Sequence, residues 1–172
     1  MFSPSKAAEM INNLAQNNVC YIMLIGSPGS GKTDFVVKYL DVDKYKTVSL
    51  GDIKKALITE SAILISDAYE LASREAKIEA INHLDSGHNV IYDAVNCYPK
   101  VRNIHLNAVK HHCDLKIGIV VNQSLISCYK NASNDIPEMK LESMYLNIKK
   151  MPPSLNEGFD ILMEVNMRNI EE

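Results

Sequence analysis

Residues 19–33 constrain the fold more than any other stretch of the chain. The run 19–25 (VCYIMLI) is short and almost wholly apolar, the pattern of a strand covered on both faces inside a parallel sheet. It passes directly into Gly26-Ser27-Pro28-Gly29-Ser30-Gly31-Lys32-Thr33, which satisfies GxxxxGK followed by Ser or Thr. Residues 32–40 then place Phe35, Val36, Tyr39 and Leu40 on one helical stripe. A strand, a glycine-rich loop and a helix in this order form a phosphate cradle, because the loop amides converge on anionic oxygens at the positive end of the helix dipole. Lys32 adds a mobile cation for the β- and γ-phosphates, and the Thr33 hydroxyl is placed to ligate Mg²⁺. A nucleoside triphosphate such as ATP, with magnesium, is the expected ligand.

The remaining pattern alternates strands and helices. Ser3-Pro4 opens a leading helix within residues 1–17, since the serine oxygen accepts orphan amides and proline needs no donor at the first helical position. A second strand is expected at 47–50, broken by Gly51. A long helical region follows between Ile53 and Leu84, expected as two helices, with Leu57, Ile58, Leu64, Ile65, Leu71, Ile78, Ile81 and Leu84 as its apolar set. Further strands are expected at 90–92, 115–121 and 159–165, and further helices at 101–111 and 137–149. The alternation predicts one α/β domain over 1–172, a three-layer sandwich with a parallel sheet of about five strands and helices on both faces.

Composition excludes several classes. A net charge of −3 and a pI of about 6.0 provide no broad basic field for holding a long nucleic acid by its phosphates. The four cysteines are widely spaced without a CxxC pair, which predicts a reduced, cytoplasmic setting, and no apolar run is long enough to cross a membrane. His111-His112-Cys113-Asp114 contains zinc-ligand types, but adjacent helical residues point apart, so a helix end is expected there. The eight methionines, Met139, Met144 and Met151 among them, are expected as core filler, and Tyr69 as packing.

A phosphate loop alone does not separate kinases from GTPases and motors. Asp52 discriminates, because it follows the second expected strand and so falls at the carboxyl edge of the sheet, where α/β sites form. There it serves either as a base for an attacking hydroxyl or as a cap for the helix from Ile53 onwards.

Several segments in order resemble the kinase domain of bacteriophage and RNA-repair polynucleotide kinases, over residues 21 to about 163. They are GSPGSGKT, Asp52 with Lys55 three positions on, NVIYDAVN with Asp93 and Asn96, the helix IPEMKLESMY, and PPSLNEGFDIL. The resemblance implies ATP-dependent phosphoryl transfer to a 5′-hydroxyl of DNA or RNA, with Lys32 and Asp52 catalytic. It puts Lys55 where the family usually has an acceptor-binding arginine. It sets Asp93 and Asn96 on the next strand edge, beside the loop and in the substrate site. It leaves Arg102 either positioning the acceptor or forming a surface salt bridge. The family's lid usually carries arginines on the donor phosphates. Here the shortened segment 127–137 has Lys130 as its cation, and the three arginines of the chain, Arg74, Arg102 and Arg168, all fall elsewhere. Lysine supplies charge without arginine's planar fork. Two other readings therefore stand beside the first: a kinase of nucleotides, nucleosides or other small acceptors, and an ATP-binding module with little turnover. Self-association is left open.

Overall fold

The computed structural model describes residues 1–61 and 63–167. Its centre is β1 (Cys20–Ile25), buried along its whole length. β1 is flanked by β3 (Asn89–Asp93) and β4 (Leu115–Asn122), with β2 (Tyr45–Ser49) outside β3 and β5 (Ile161–Asn166) outside β4. Every pairing is parallel, in the order β2-β3-β1-β4-β5. The fold is therefore the expected five-stranded α/β sandwich.

The apolar run of β1 feeds two cores because successive side chains leave a strand on opposite faces. Cys20, Ile22 and Leu24 face α1 (Pro4–Ala15) and α2 (Lys32–Tyr39), meeting Ala7, Ile11, Phe35 and Val36. Tyr21, Met23 and Ile25 face α4 (Ile65–Asp85), α5 (Pro99–Val109) and α7 (Glu138–Lys150), meeting Ala76, Ala80, Leu106 and Ile148. The leading helix begins as its sequence dictates, with Ser3 capping the Lys6 amide and Pro4 at the first turn.

Three differences from the sequence pattern matter for the site. Gly51 does not separate strand from helix: Ser49 caps the Asp52 amide, and α3 (Leu50–Thr59) starts one residue before Gly51 and runs through it. Asp52 is thus a first-turn residue and not the cap. Second, α4 turns a stripe of small residues inward, Ala68, Ala72, Ala76, Ala80 and finally Leu84, while Leu64, Ile65 and Ile78 are exposed. Four-residue spacing makes a continuous ridge, and methyl side chains let the helix approach closely, so size of side chain was a poor guide to its buried face. Third, the lid segment contains a helix, α6 (Leu125–Asn131), capped by Ser124. Met139 is also exposed, contrary to its expected place in the core, and Tyr69 is about half exposed.

Candidate active site

The strand order reverses direction at β1, and the loop after β1 sits in the resulting crevice at the carboxyl edge. Gly29 and Gly31 take positive φ values of 73° and 92°, which glycine adopts without Cβ strain. A Cβ on Gly29 would also stand 2.2 Å from the Cys128 carbonyl oxygen, so the loop tip is pressed against α6 as closely as backbone allows. The loop is pinned at its start as well, where the Gly26 amide donates to the Val95 carbonyl at 3.2 Å.

α2 opens without any side-chain cap, which leaves its first amides directed at the crevice. Lys32 is buried, and its Nζ donates to the carbonyls of Gly26 at 2.8 Å and Ser27 at 3.1 Å. An ammonium has three donors, so one remains for a ligand. Burial pulls the Lys32 pKa down, and the Asp93 carboxylate nearby opposes that shift. The Thr33 Oγ1 donates to Asp93 Oδ2 at 2.8 Å. Uncapped amides, an ammonium with one donor left and a hydroxyl paired with a carboxylate are the groups that a magnesium-bound triphosphate needs, so the residues present fit that ligand.

Asp93 ends β3, and its position is set by register: Ser49 of β2 pairs with Asp93. The first turn of α3, with Asp52, therefore begins at the same edge, next to the Thr33–Asp93 pair. Asp52 and Lys55 are both exposed, and their side chains make no hydrogen bond or ion pair among the described residues. Lys130 is likewise exposed on α6.

Two residues expected in contact with substrate have other work. Arg102 is fully buried, with no exposed side-chain surface. Its Nε and one terminal nitrogen grip the Glu157 carboxylate at 2.6 and 2.8 Å, while the terminal nitrogens also donate to the Asn96 and Met151 carbonyls, each at 3.1 Å. It neither reaches an acceptor nor lies on the surface. Asn96, with φ of 52°, is buried and donates through Nδ2 to the Leu24 carbonyl at 2.7 Å. Together these two side chains bind the β3–α5 turn to β1 and to the segment after α7, which holds Asp93 in place. Sequence spacing could locate them but not reveal that they face inward.

Cys97 and Cys128 both lie within electrostatic reach of Lys32, and burial pushes both thiols up, so neither is a ready nucleophile. All four cysteines are free. Among the described residues no helix is long and apolar enough to cross a membrane. His112 pairs through Nδ1 with Asp85 at the end of α4, at 2.6 Å. Sequence reasoning passed over Asn122, Lys149 and Glu164, which gather beside the loop on the β4–β5 side. Asn122 carried a usable signal, since it ends an apolar strand at the carboxyl edge as Asp93 does.

A central strand, a phosphate loop, and a threonine–aspartate pair across from the neighbouring strand define a P-loop kinase-like domain. The chain belongs to the AAA domain family, whose model matches residues 22–131. No curated protein matches it in sequence. Among solved structures, a chain of the Pnkp1/Rnl/Hen1 RNA repair complex superposes with a TM-score of 0.67 at 18% identity, over 77% of this chain and 45% of that one. A second structure of the Pnkp1/Rnl/Hen1 complex gives 0.57 at 19% identity, over 70% and 41%. A candidate kinase from Chloroflexus aurantiacus gives 0.65 at 14% identity, over 86% of this chain and 87% of that one. This chain thus spans less than half the length of the two repair-complex chains, and the likeness to all three is one of fold.

Proposed function

We propose that the chain transfers the γ-phosphoryl group of a nucleoside triphosphate such as ATP to a hydroxyl, and that the acceptor is a 5′-hydroxyl end of DNA or RNA. The observation that carries this reading is the register of β2 on β3, which starts α3 and Asp52 beside the Thr33–Asp93 pair. In the reading, the loop amides and Lys32 hold the phosphates, Asp52 accepts the proton of the attacking hydroxyl, and Lys55 binds the acceptor's own phosphate. Thr33 and Asp93 would hold Mg²⁺, which when bound would supply charge neutralisation at the phosphates. Asp93 is accordingly assigned to the metal side instead of the acceptor. Lys130 adds a weak contact to the donor. The fold shared with chains of an RNA repair complex supports a nucleic-acid acceptor, and partners of that kind are part of the proposal.

A small acceptor is the second reading. It is favoured by the net charge of −3 and by Lys55, a lysine at the position where the resembled family usually has an acceptor-binding arginine. Incubation with labelled ATP, Mg²⁺ and 5′-hydroxyl DNA, RNA, nucleosides and mononucleotides separates the two. Transfer to oligonucleotides above the Lys32→Ala background supports the first reading. Transfer confined to small compounds replaces it with the second, and no transfer to any hydroxyl defeats both.

A further inference from the structure

The carboxyl edge of the sheet has two flanks. Asp52 and Asp93 lie on the β2–β3 side of the phosphate loop, and β4 and β5 lie on the other. A triphosphate in the loop with its transferable end toward Asp52 must send its nucleoside end toward β4 and β5. This direction rests on the phosphoryl-transfer reading above.

A half-open cavity of about 280 Å³ lies on that flank, close to the lower end of the roughly 300–1,000 Å³ typical of small-molecule sites. It suits a nucleoside and not an oligonucleotide. Its walls are apolar, from Val120, Ile148, Leu162 and the Pro152-Pro153 pair. Its polar groups are Asn122, Lys149 and Glu164. Asn122 and Lys149 also border a gap of about 10 Å³ that touches Gly26, Ser27 and Ser30, so the cavity abuts the phosphate loop.

The three polar side chains form a relay. Lys149 Nζ donates to Asn122 Oδ1 at 3.2 Å, and Asn122 Nδ2 donates to the Glu164 carboxylate. Apolar walls suit the faces of an aromatic ring, and a polar end suits its edge. An ionised carboxylate only accepts hydrogen bonds, so it favours a ring edge that carries N–H donors. Adenine and cytosine present an exocyclic amino group on C6 and C4, where guanine and uracil present a carbonyl oxygen.

We infer that this cavity is the donor-base site, in which Asn122 and Glu164 recognise the amino-bearing edge of the nucleobase between walls that include Ile148 and Leu162. Base recognition then lies on residues remote from Asp52, and it contributes to donor affinity without entering the transfer step.

Binding measurements test this without requiring turnover. Dissociation constants of ATP, UTP and inorganic tripolyphosphate, each with Mg²⁺, are measured for the full chain and for Glu164→Ala, Asn122→Ala and Glu164→Gln. The native chain is expected to bind ATP about tenfold or more tightly than UTP or tripolyphosphate, the contribution of one good polar contact to a charged group. Both alanine variants should bring ATP down to the level of UTP while tripolyphosphate binding stays unchanged, which also reports an intact fold. Glu164→Gln, which offers an N–H to a carbonyl edge, should raise UTP relative to ATP. Equal binding of ATP and tripolyphosphate by the native chain overturns the inference. So does an advantage of ATP over UTP that survives both alanine variants, or an equal loss of ATP and tripolyphosphate binding. If the advantage behaves as expected but no hydroxyl is ever phosphorylated, the base site stands and the kinase reading falls. If neither compound binds, both fall.

Discussion

The two halves of the candidate site are built differently. On the donor side, Gly29 is pressed on α6, Gly26 is tied to Val95, Lys32 is held by two carbonyls and Thr33 by Asp93. On the acceptor side, Asp52 and Lys55 stand exposed on α3, and the start of the neighbouring α4 shows Leu64, Ile65 and Tyr69 to solvent. A preorganised loop stabilises developing charge without rearranging at the moment of reaction. An open flank is completed by whatever binds it, which is how specificity through closure arises. The contrast teaches that donor binding and acceptor engagement are separable in this molecule, and substitutions should separate them.

The largest effect is expected at Lys32. Lys32→Ala should reduce transfer about 10³-fold or more and weaken nucleotide binding with it, because both depend on the same ammonium. Asp52→Asn should reduce kcat by about 10²–10⁴-fold while leaving the ATP dissociation constant unchanged. Parallel losses of binding in the two variants, measured by titration calorimetry, would erase the proposed division between the halves.

Arg102→Met tests whether the buried clamp is structural. Removing one partner leaves Glu157 with an uncompensated carboxylate, only 10% exposed, at a cost of about 3–5 kcal/mol in a denaturant titration. A raised acceptor KM with unchanged stability would instead return Arg102 to the substrate site.

Acid should loosen the acceptor flank before the loop. His105 shares its Nε2 with the hydroxyls of Ser73 on α4 and Tyr92 on β3, at 3.2 and 3.1 Å, and so ties α4 to the sheet. Burial, aided by the charge of Lys77, lowers its pKa from 6.5 to about 4. The folded chain keeps the ring neutral in that window, while the unfolded chain takes up a proton. The stabilisation is therefore whole above about pH 6.5 and is lost as pH falls toward 4, by up to about 3 kcal/mol. Hydrogen exchange should rise in α4 ahead of β1, and His105→Phe should flatten the pH dependence. A variant as acid-sensitive as the native chain would assign the effect to other groups.

The smallest effect is expected at Lys130. An exposed cation on α6 contributes little through solvent, so Lys130→Ala should alter the ATP dissociation constant by about twofold, decreasing further in salt. A tenfold loss would make the lid a true part of the donor grip.

Much of this was legible because it is local. The loop and its strand-to-helix setting follow from residues 19–40 alone, since backbone geometry, glycine placement and helix dipole all act within a few residues. The Ser3-Pro4 helix start and the five strands follow from the same short-range rules. Where the reading failed, neighbours distant in sequence decided. α4 buries alanines in place of isoleucines because the sheet lies too close for larger groups, a fact about spacing between elements. Ser49 capped α3 and carried Gly51 into it, against a glycine's usual meaning.

By itself, then, the amino-acid sequence determined a parallel α/β sandwich with a phosphate loop, through periodicity and one motif whose physics is confined to consecutive residues. Only the tertiary structure decided which polar residues face the site. It turned Arg102 and Asn96 inward, joined Thr33 to Asp93 across sixty positions, and brought Asn122, Lys149 and Glu164 together. Hydrogen bonds and burial between distant segments depend on the packed whole, because no local rule says what a side chain will meet.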